Sequence, residues 1–251
     1  MQAPPRTLTV GILGGMGPAA GVDFLRHFVQ ACAEQVRALH LPPCDQSFPE
    51  HWLAQVPVPD RTAALQQPGA GGHQPLEPLL QALGRLAALG ARSVAIACNT
   101  AHAWHGELQA RFPGVELLHM AREVAQALAA RGVREVGLLA TEGTYRSGLY
   151  AQAMAQAGLR CHVPQRGERE LLMRGIYDGV KAGDLALAQQ CFAAVARDLV
   201  ERHGLATLVL GCTEIPLALT QVPGVDGLAL VDPAAVLAQA LAQRAYGAAP
   251  A

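Results

Sequence analysis

Two of the six cysteines, Cys98 and Cys212, sit in matched settings, each closing a run of strand-forming residues and each followed by small polar side chains. Ser93-Val94-Ala95-Ile96-Ala97 leads into Cys98-Asn99-Thr100, and Thr207-Leu208-Val209-Leu210-Gly211 leads into Cys212-Thr213-Glu214. A free thiol has a pKa of ~8.5, which a nearby cation or a helix N-terminus lowers, so thiol and thiolate are both accessible near neutrality. Placed on opposite sides of one carbon, the two form a symmetric acid/base pair. One removes a proton from one face, the other supplies a proton to the opposite face, and the roles exchange in reverse. That is the chemistry of inverting an α-carbon. The carbanion it passes through needs electrostatic stabilisation in a site closed to water.

Other residues compete for attention. Cys32, Cys44, Cys161 and Cys191 read as packing residues, because cysteine is among the most buried side chains. There is no CxxC pair, so neither a disulfide framework nor a zinc site is indicated, and free thiols in a reducing cytoplasm are expected. His102 and His105 fall three apart on a predicted helix, but no third metal ligand lies at suitable spacing. His102 has a second reading, orienting a group near Cys98. Gly14, Gly15, Gly17 and Gly21 fail as a dinucleotide fingerprint, since Gly21 comes one residue too late. Lys181 is the only lysine among 19 basic residues, which marks a place where an ammonium rather than a guanidinium is wanted.

The elements that must position these groups follow from apolar periodicity. Strand-length runs alternate with helical patterns, the mark of an α/β protein with parallel sheets. Strands are predicted at Leu8–Leu13, Ser93–Ala97, Glu116–Leu118, Glu135–Ala140, Leu205–Leu210 and Leu228–Val231. Helices are predicted at Pro18–Val36, Leu79–Leu89, Ala101–Arg111, Ala121–Ala130, Tyr145–Ala157, Arg169–Val180, Leu185–His203 and Ala234–Tyr246. Pro42–Pro59 reads as irregular, and Gln66–Pro78, with Gly69, Gly71 and Gly72, as a mobile loop. Val10-Gly11-Ile12-Leu13-Gly14 and Val136-Gly137-Leu138-Leu139-Ala140 are counterparts, as are the two cysteine strands. The chain therefore reads as two pseudosymmetric α/β lobes with the site in the cleft between them. The first is placed at 1–113, completed by 217–251, and the second at 114–216. Each lobe carries one cysteine at the carboxyl end of an internal strand, the edge where open α/β sheets bind ligands.

Composition narrows the ligand. Hydrophobic residues make up 51% and charged residues 16%, enough for a buried core and against disorder. A net charge of −1 and 4% aromatics argue against nucleic acid and anionic membranes. No apolar run approaches the ~20 residues of a membrane span, and the N-terminus lacks the charged start and cleavage site of a signal peptide. A small molecule is expected.

The sequence resembles the aspartate/glutamate racemase family. Ala97-Cys98-Asn99-Thr100-Ala101-His102 looks like its first active-site motif, and Leu210-Gly211-Cys212-Thr213-Glu214-Ile215-Pro216 like its second. Gly14-Gly15-Met16-Gly17-Pro18, Pro59-Asp60-Arg61-Thr62 and Val180-Lys181-Ala182-Gly183 match further family segments in order. The resemblance implies an isomerase that works without pyridoxal phosphate or any other cofactor, without metal, as a homodimer acting on a small amino acid. It makes Cys98 and Cys212 the acid/base groups, and Arg61 and Lys181 the partners of substrate carboxylates. Asn99, Thr100, Thr141, Thr144 and Thr213 are implied as hydrogen-bonding groups, with Met16 and Glu214 also at the substrate. Gly14-Gly15-Met16 and the Glu214 after Thr213 resemble the aspartate-racemase branch, not the glutamate racemases. Trp52–Val58 lacks an asparagine-proline step that many relatives carry, and that segment is expected to line the side-chain pocket.

Two other readings stay open. The same scaffold serves racemisation of another amino acid, or isomerisation or decarboxylation of a dicarboxylic acid. A two-lobed carboxylate-binding regulatory protein would share the fold, but has no need for two matched cysteines.

Overall fold

A computed structural model describes residues 5–66 and 74–247. The first part of the chain runs β1 (Val10–Gly14), α1 (Pro18–Ala38), β2 (His51–Gln55), α2 (Arg61–Gln66), α3 (Leu76–Ala88), β3 (Ser93–Ile96), α4 (His105–Arg111) and β4 (Glu116–Leu117). It continues with α5 (Met120–Ala130), β5 (Glu135–Ala140), α6 (Glu142–Ser147), α7 (Leu149–Gln156), β6 (Arg160–His162), α8 (Arg166–Arg174), α9 (Leu185–His203), β7 (Thr207–Gly211), α10 (Ile215–Ala218), β8 (Ala229–Val231) and α11 (Pro233–Tyr246).

These strands build two parallel sheets of identical order, β2-β1-β3-β4 and β6-β5-β7-β8. The internal strands β1, β3 and β7 are buried at every position, as a parallel sheet covered on both faces requires. One face of the first sheet packs Val10, Ile12 and Ala95 against Phe24 and Phe28 of α1 and Leu237 and Leu241 of α11. The other packs Leu13, Val94 and Ile96 against Leu79 and Leu83 of α3 and Leu108 of α4. The second sheet is covered by α9 on one side and by α5 and α7 on the other. Helix ends follow local chemistry. Asp184 accepts the Leu187 N–H to start α9, which stops at Gly204 in the left-handed region (φ 65°).

The two-lobe α/β architecture expected from the sequence is present, with differences in detail. Glu116–Leu117, expected to open the second series, pairs with β3 at the edge of the first sheet. Ala229–Val231 pairs with β7 in the second sheet, and α11 then returns to pack on α1. Within the supposedly irregular Pro42–Pro59 lies β2, an edge strand whose Trp52 is exposed. Its residues are not the alternating or continuous apolar run of an ordinary strand, and pairing with β1 supplies what the pattern lacks. Finally, the helix expected to reach Val180 ends at Arg174 and widens into a π-helical turn, Gly175–Gly179, then a 3₁₀ turn, Val180–Ala182. Gly175 lies against Phe192 and Gly179 against Ala188, so this turn rides close on α9. Most of the loop expected at Gln66–Pro78 lies outside the described residues. Among the described residues no helix is long and apolar enough to cross a membrane.

Candidate active site

Cys98 and Cys212 leave their sheets in the same way. The Cys98 N–H donates to the Ile96 carbonyl and the Cys212 N–H to the Leu210 carbonyl, each at 2.8 Å. This tight turn at the carboxyl end of β3 and of β7 swings both side chains out of the sheet plane toward the gap between the lobes. Both thiols line one pocket, with about 320 Å³ of free space including its mouth. The helix expected at Ala101–Arg111 begins only at His105, as α4. Thr100–Trp104 is a 3₁₀ turn, and α10 is four residues, so helix dipoles contribute little to either sulfur.

The wall also holds Met16, Arg61, Asn99, Thr100, Thr141, Lys181 and Glu214 from the set named by sequence. Thr144 and Thr213 stand behind it. The hydroxyls of Thr100, Thr141 and Thr144 form a closed triangle with sides of 2.9, 3.0 and 3.1 Å that joins the lobes. Thr213 turns its hydroxyl to Glu214. Asp60, Thr62, Ile176 and Tyr177 belong to the pocket as well and carried no assigned role. Asp60 and Thr62 sit within Pro59-Asp60-Arg61-Thr62, but Tyr177 has no sequence signal, since only the turn after α8 aims it. No residue of Trp52–Val58 lines the pocket, against expectation, because β2 is on the far edge of the first sheet. From that stretch only backbone reaches the site: the Val58 carbonyl receives Arg61 Nη1 at 3.0 Å.

Arg61 is braced on three carbonyls, those of Val58, Pro59 and Met16, leaving its Nε buried without a partner. Burial works against its charge, but Cys98, Asp60 and Glu214 nearby outweigh this and raise its pKa further. Asn99 is held by its oxygen, which accepts from the Tyr150 hydroxyl at 2.5 Å, so its buried Nδ2 is also an unused donor. Lys181 Nζ pairs with Glu214 Oε1 at 3.1 Å. Burial pushes Asp60 up, yet the Ala63 N–H, the Tyr177 hydroxyl, Arg61 and Lys181 together bring its carboxyl below the usual value. The Tyr177 hydroxyl donates to Asp60 Oδ2 at 2.7 Å, a further bond between the lobes. Two cations, Arg61 and Lys181, and the unused Asn99 amide donor therefore surround a space bounded by two thiols, a setting matched to a small molecule carrying carboxylates.

His102, like His105, has one ring nitrogen beside a backbone carbonyl. Its Nδ1 lies 2.9 Å from the Cys98 carbonyl, and its ring packs beside those of His105 and His119. Burial lowers the pKa of His102 to about 4 and of His119 to about 3. Neutral rings fill this space under Cys98.

The chain superposes on an aspartate racemase from Picrophilus torridus with a TM-score of 0.73 and 26% identity, covering 93% of this chain and 92% of that one. An aspartate racemase homologue from Pyrococcus horikoshii gives a TM-score of 0.69 and 27% identity, covering 93% and 96%. A glutamate racemase from Pseudomonas paraeruginosa is 33% identical over 163 residues, 61% of this chain and 57% of that protein. The profile of the Asp/Glu/Hydantoin racemase family matches residues 13–241, and the chain belongs to that family of isomerases.

Proposed function

We propose that the chain racemises an acidic amino acid, aspartate above all, with Cys98 and Cys212 as its two acid/base groups. The observation that carries this is the meeting of both thiols, from equivalent strand ends, on one small pocket. A substrate α-carbon between them loses its proton to one sulfur and regains one from the other, so the configuration inverts. Arg61 Nε and Asn99 Nδ2 are free to receive carboxylate oxygens, and the Thr100 and Thr141 hydroxyls sit beside them. Lys181 is the cation for the second carboxylate, which distinguishes aspartate from neutral amino acids. Electrostatic stabilisation of the carbanion's delocalised charge falls to these same donors. The reading extends to a homodimer, which sedimentation of the purified protein checks.

Incubation with L-aspartate in deuterated water is the direct test. D-aspartate labelled at the α-carbon is expected, with no pyridoxal phosphate added. Cys98→Ala and Cys212→Ala are each expected to abolish it. Full activity in both variants ends the two-thiol mechanism. Lys181→Ala is expected to lose most activity on aspartate while the fold is kept. An unlabelled aspartate pool, with exchange on another amino acid or a dicarboxylate instead, moves the assignment to that substrate.

A further inference from the structure

The two thiols are equivalent in fold but not in surroundings. Cys212 Sγ lies 3.0 Å from Glu214 Oε2, and that carboxylate is itself buried, with 7% of its side chain exposed. Glu214 is anchored from several sides: Lys181 Nζ at 3.1 Å and the Gly17 N–H at 3.2 Å both meet its Oε1, and the Thr213 hydroxyl meets Oε2. The Gly17 N–H opens α1, 21 residues long, so an anion is favoured there. A carboxylate so held has only acceptors to offer, and the group facing it must bring the proton. Cys98, across the pocket, has no carboxylate hydrogen-bonded to it among the described residues and shares its part of the lining with Arg61.

We propose that Glu214 is a positioning residue that fixes where the proton rests, keeping Cys212 as the thiol and leaving Cys98 as the thiolate that first attacks a substrate proton. The inference rests on the racemase reading above and adds a direction to it. In that first half, the α C–H bond breaks and its proton forms an S–H on Cys98. The electron pair left on carbon takes the Cys212 proton on the other face, and Cys212 is left as the thiolate. It then faces the Glu214 carboxylate across the same short contact, an unfavourable state that the return of a proton relieves. Burial and the Glu214 charge both push the Cys212 pKa well up, in keeping with this arrangement. Around Cys212 the ionisable groups are Glu214, Cys98 across the pocket, Lys181 behind Glu214 and the buried Tyr150 of α7. Asp60, Arg61 and Tyr177 complete the charged and titratable lining.

Alkylation by iodoacetamide, followed at each cysteine by mass spectrometry, tests this without substrate, because thiolates react and thiols do not. In the unaltered protein near neutral pH, Cys98 is expected to label first and Cys212 to stay protected until alkaline pH. Equal labelling, or Cys212 first, overturns the assignment. In Glu214→Gln, labelling of Cys212 should rise roughly tenfold near neutrality, the equivalent of one pKa unit, with Cys98 unchanged. An unchanged Cys212 rate in a variant that melts normally overturns it too. The pH profile of α-proton exchange gives the second readout. Its alkaline limb should move to lower pH in Glu214→Gln, whereas a uniform loss at every pH makes Glu214 only structural and overturns the proposal. The outcomes separate from those of the function itself: absent exchange with the labelling order intact removes the racemase reading and leaves the thiol assignment standing.

Discussion

Which atoms of the site are free to bind is decided by what already occupies the others. Asn99 illustrates this, because its oxygen is consumed by Tyr150, whose ring is fully buried among α7, and this fixes the amide so that Nδ2 is the atom left over. Tyr150→Phe removes the donor and strands a buried carbonyl, a loss of ~1–3 kcal/mol. The expected result is a lower melting temperature and a KM raised several-fold, because the amide is no longer held to one orientation. A KM equal to that of the unaltered enzyme would detach Tyr150 from substrate binding. The sequence names Asn99 through its motif, but nothing in the sequence links it to a tyrosine 51 residues on. Arg61 is similar: its identity is legible, while its bracing by three carbonyls depends on how the chain returns past Met16.

At the level of elements, the closure of the cleft depends on α6 lying close to the first lobe. A Cβ on Gly143 would come 2.8 Å from Thr100 Cγ2 and 2.9 Å from Thr62 Oγ1, closer than side chains tolerate. Gly143→Ala is therefore expected to push α6 outward and open the threonine triangle, at ~1–3 kcal/mol in stability for the overpacking. Exchange activity should fall about tenfold or more, since ~1.4 kcal/mol in the transition state is already a factor of ten. Gly106, in α4, has open space at the same position. Gly106→Ala should leave activity unchanged and raise stability by ~0.5–1 kcal/mol through helix propensity. Thermal melts and exchange assays on the pair separate close packing from backbone freedom. Elements with strong periodicity were legible, α9 to the residue at both ends, whereas β2 and β6 were not. Their pairing partners, not their own residues, make them strands.

Over the whole molecule, the neutral histidine cluster under Cys98 couples folding to pH. His102 and His119 have folded pKa values lowered by burial to about 4 and about 3 from an unfolded value of 6.5, and burial lowers His105 as well. Between those values the unfolded chain binds more protons than the native one, so stability rises with pH there. It is complete above 6.5 and is lost as pH falls toward about 4. His27, raised mainly by its hydrogen bond to Asp232, acts in the opposite sense and favours the fold at low pH. The net expectation is a urea midpoint that drops through this window, because three rings oppose one. His119→Asn keeps an N-cap residue on α5 and removes one titrating ring, so the drop should shrink. A midpoint that stays flat with pH, or a drop unaffected by the substitution, would contradict the coupling.

The sequence by itself determined the α/β alternation, the repeat of the lobe, and the two cysteines at equivalent strand ends, because periodicity and local motif are properties of neighbouring residues. It also placed Lys181 and Glu214 near the chemistry. Only the tertiary structure decided that these two are paired with each other, that Glu214 meets Cys212, and that Tyr177 and Tyr150 serve the site. Apart from Glu214 and Cys212, two residues apart in one turn, those contacts cross between lobes or between distant elements, and no local pattern encodes which side chain a buried charge will face. The asymmetry between two matched thiols is therefore written in packing, not in the repeat that produced them.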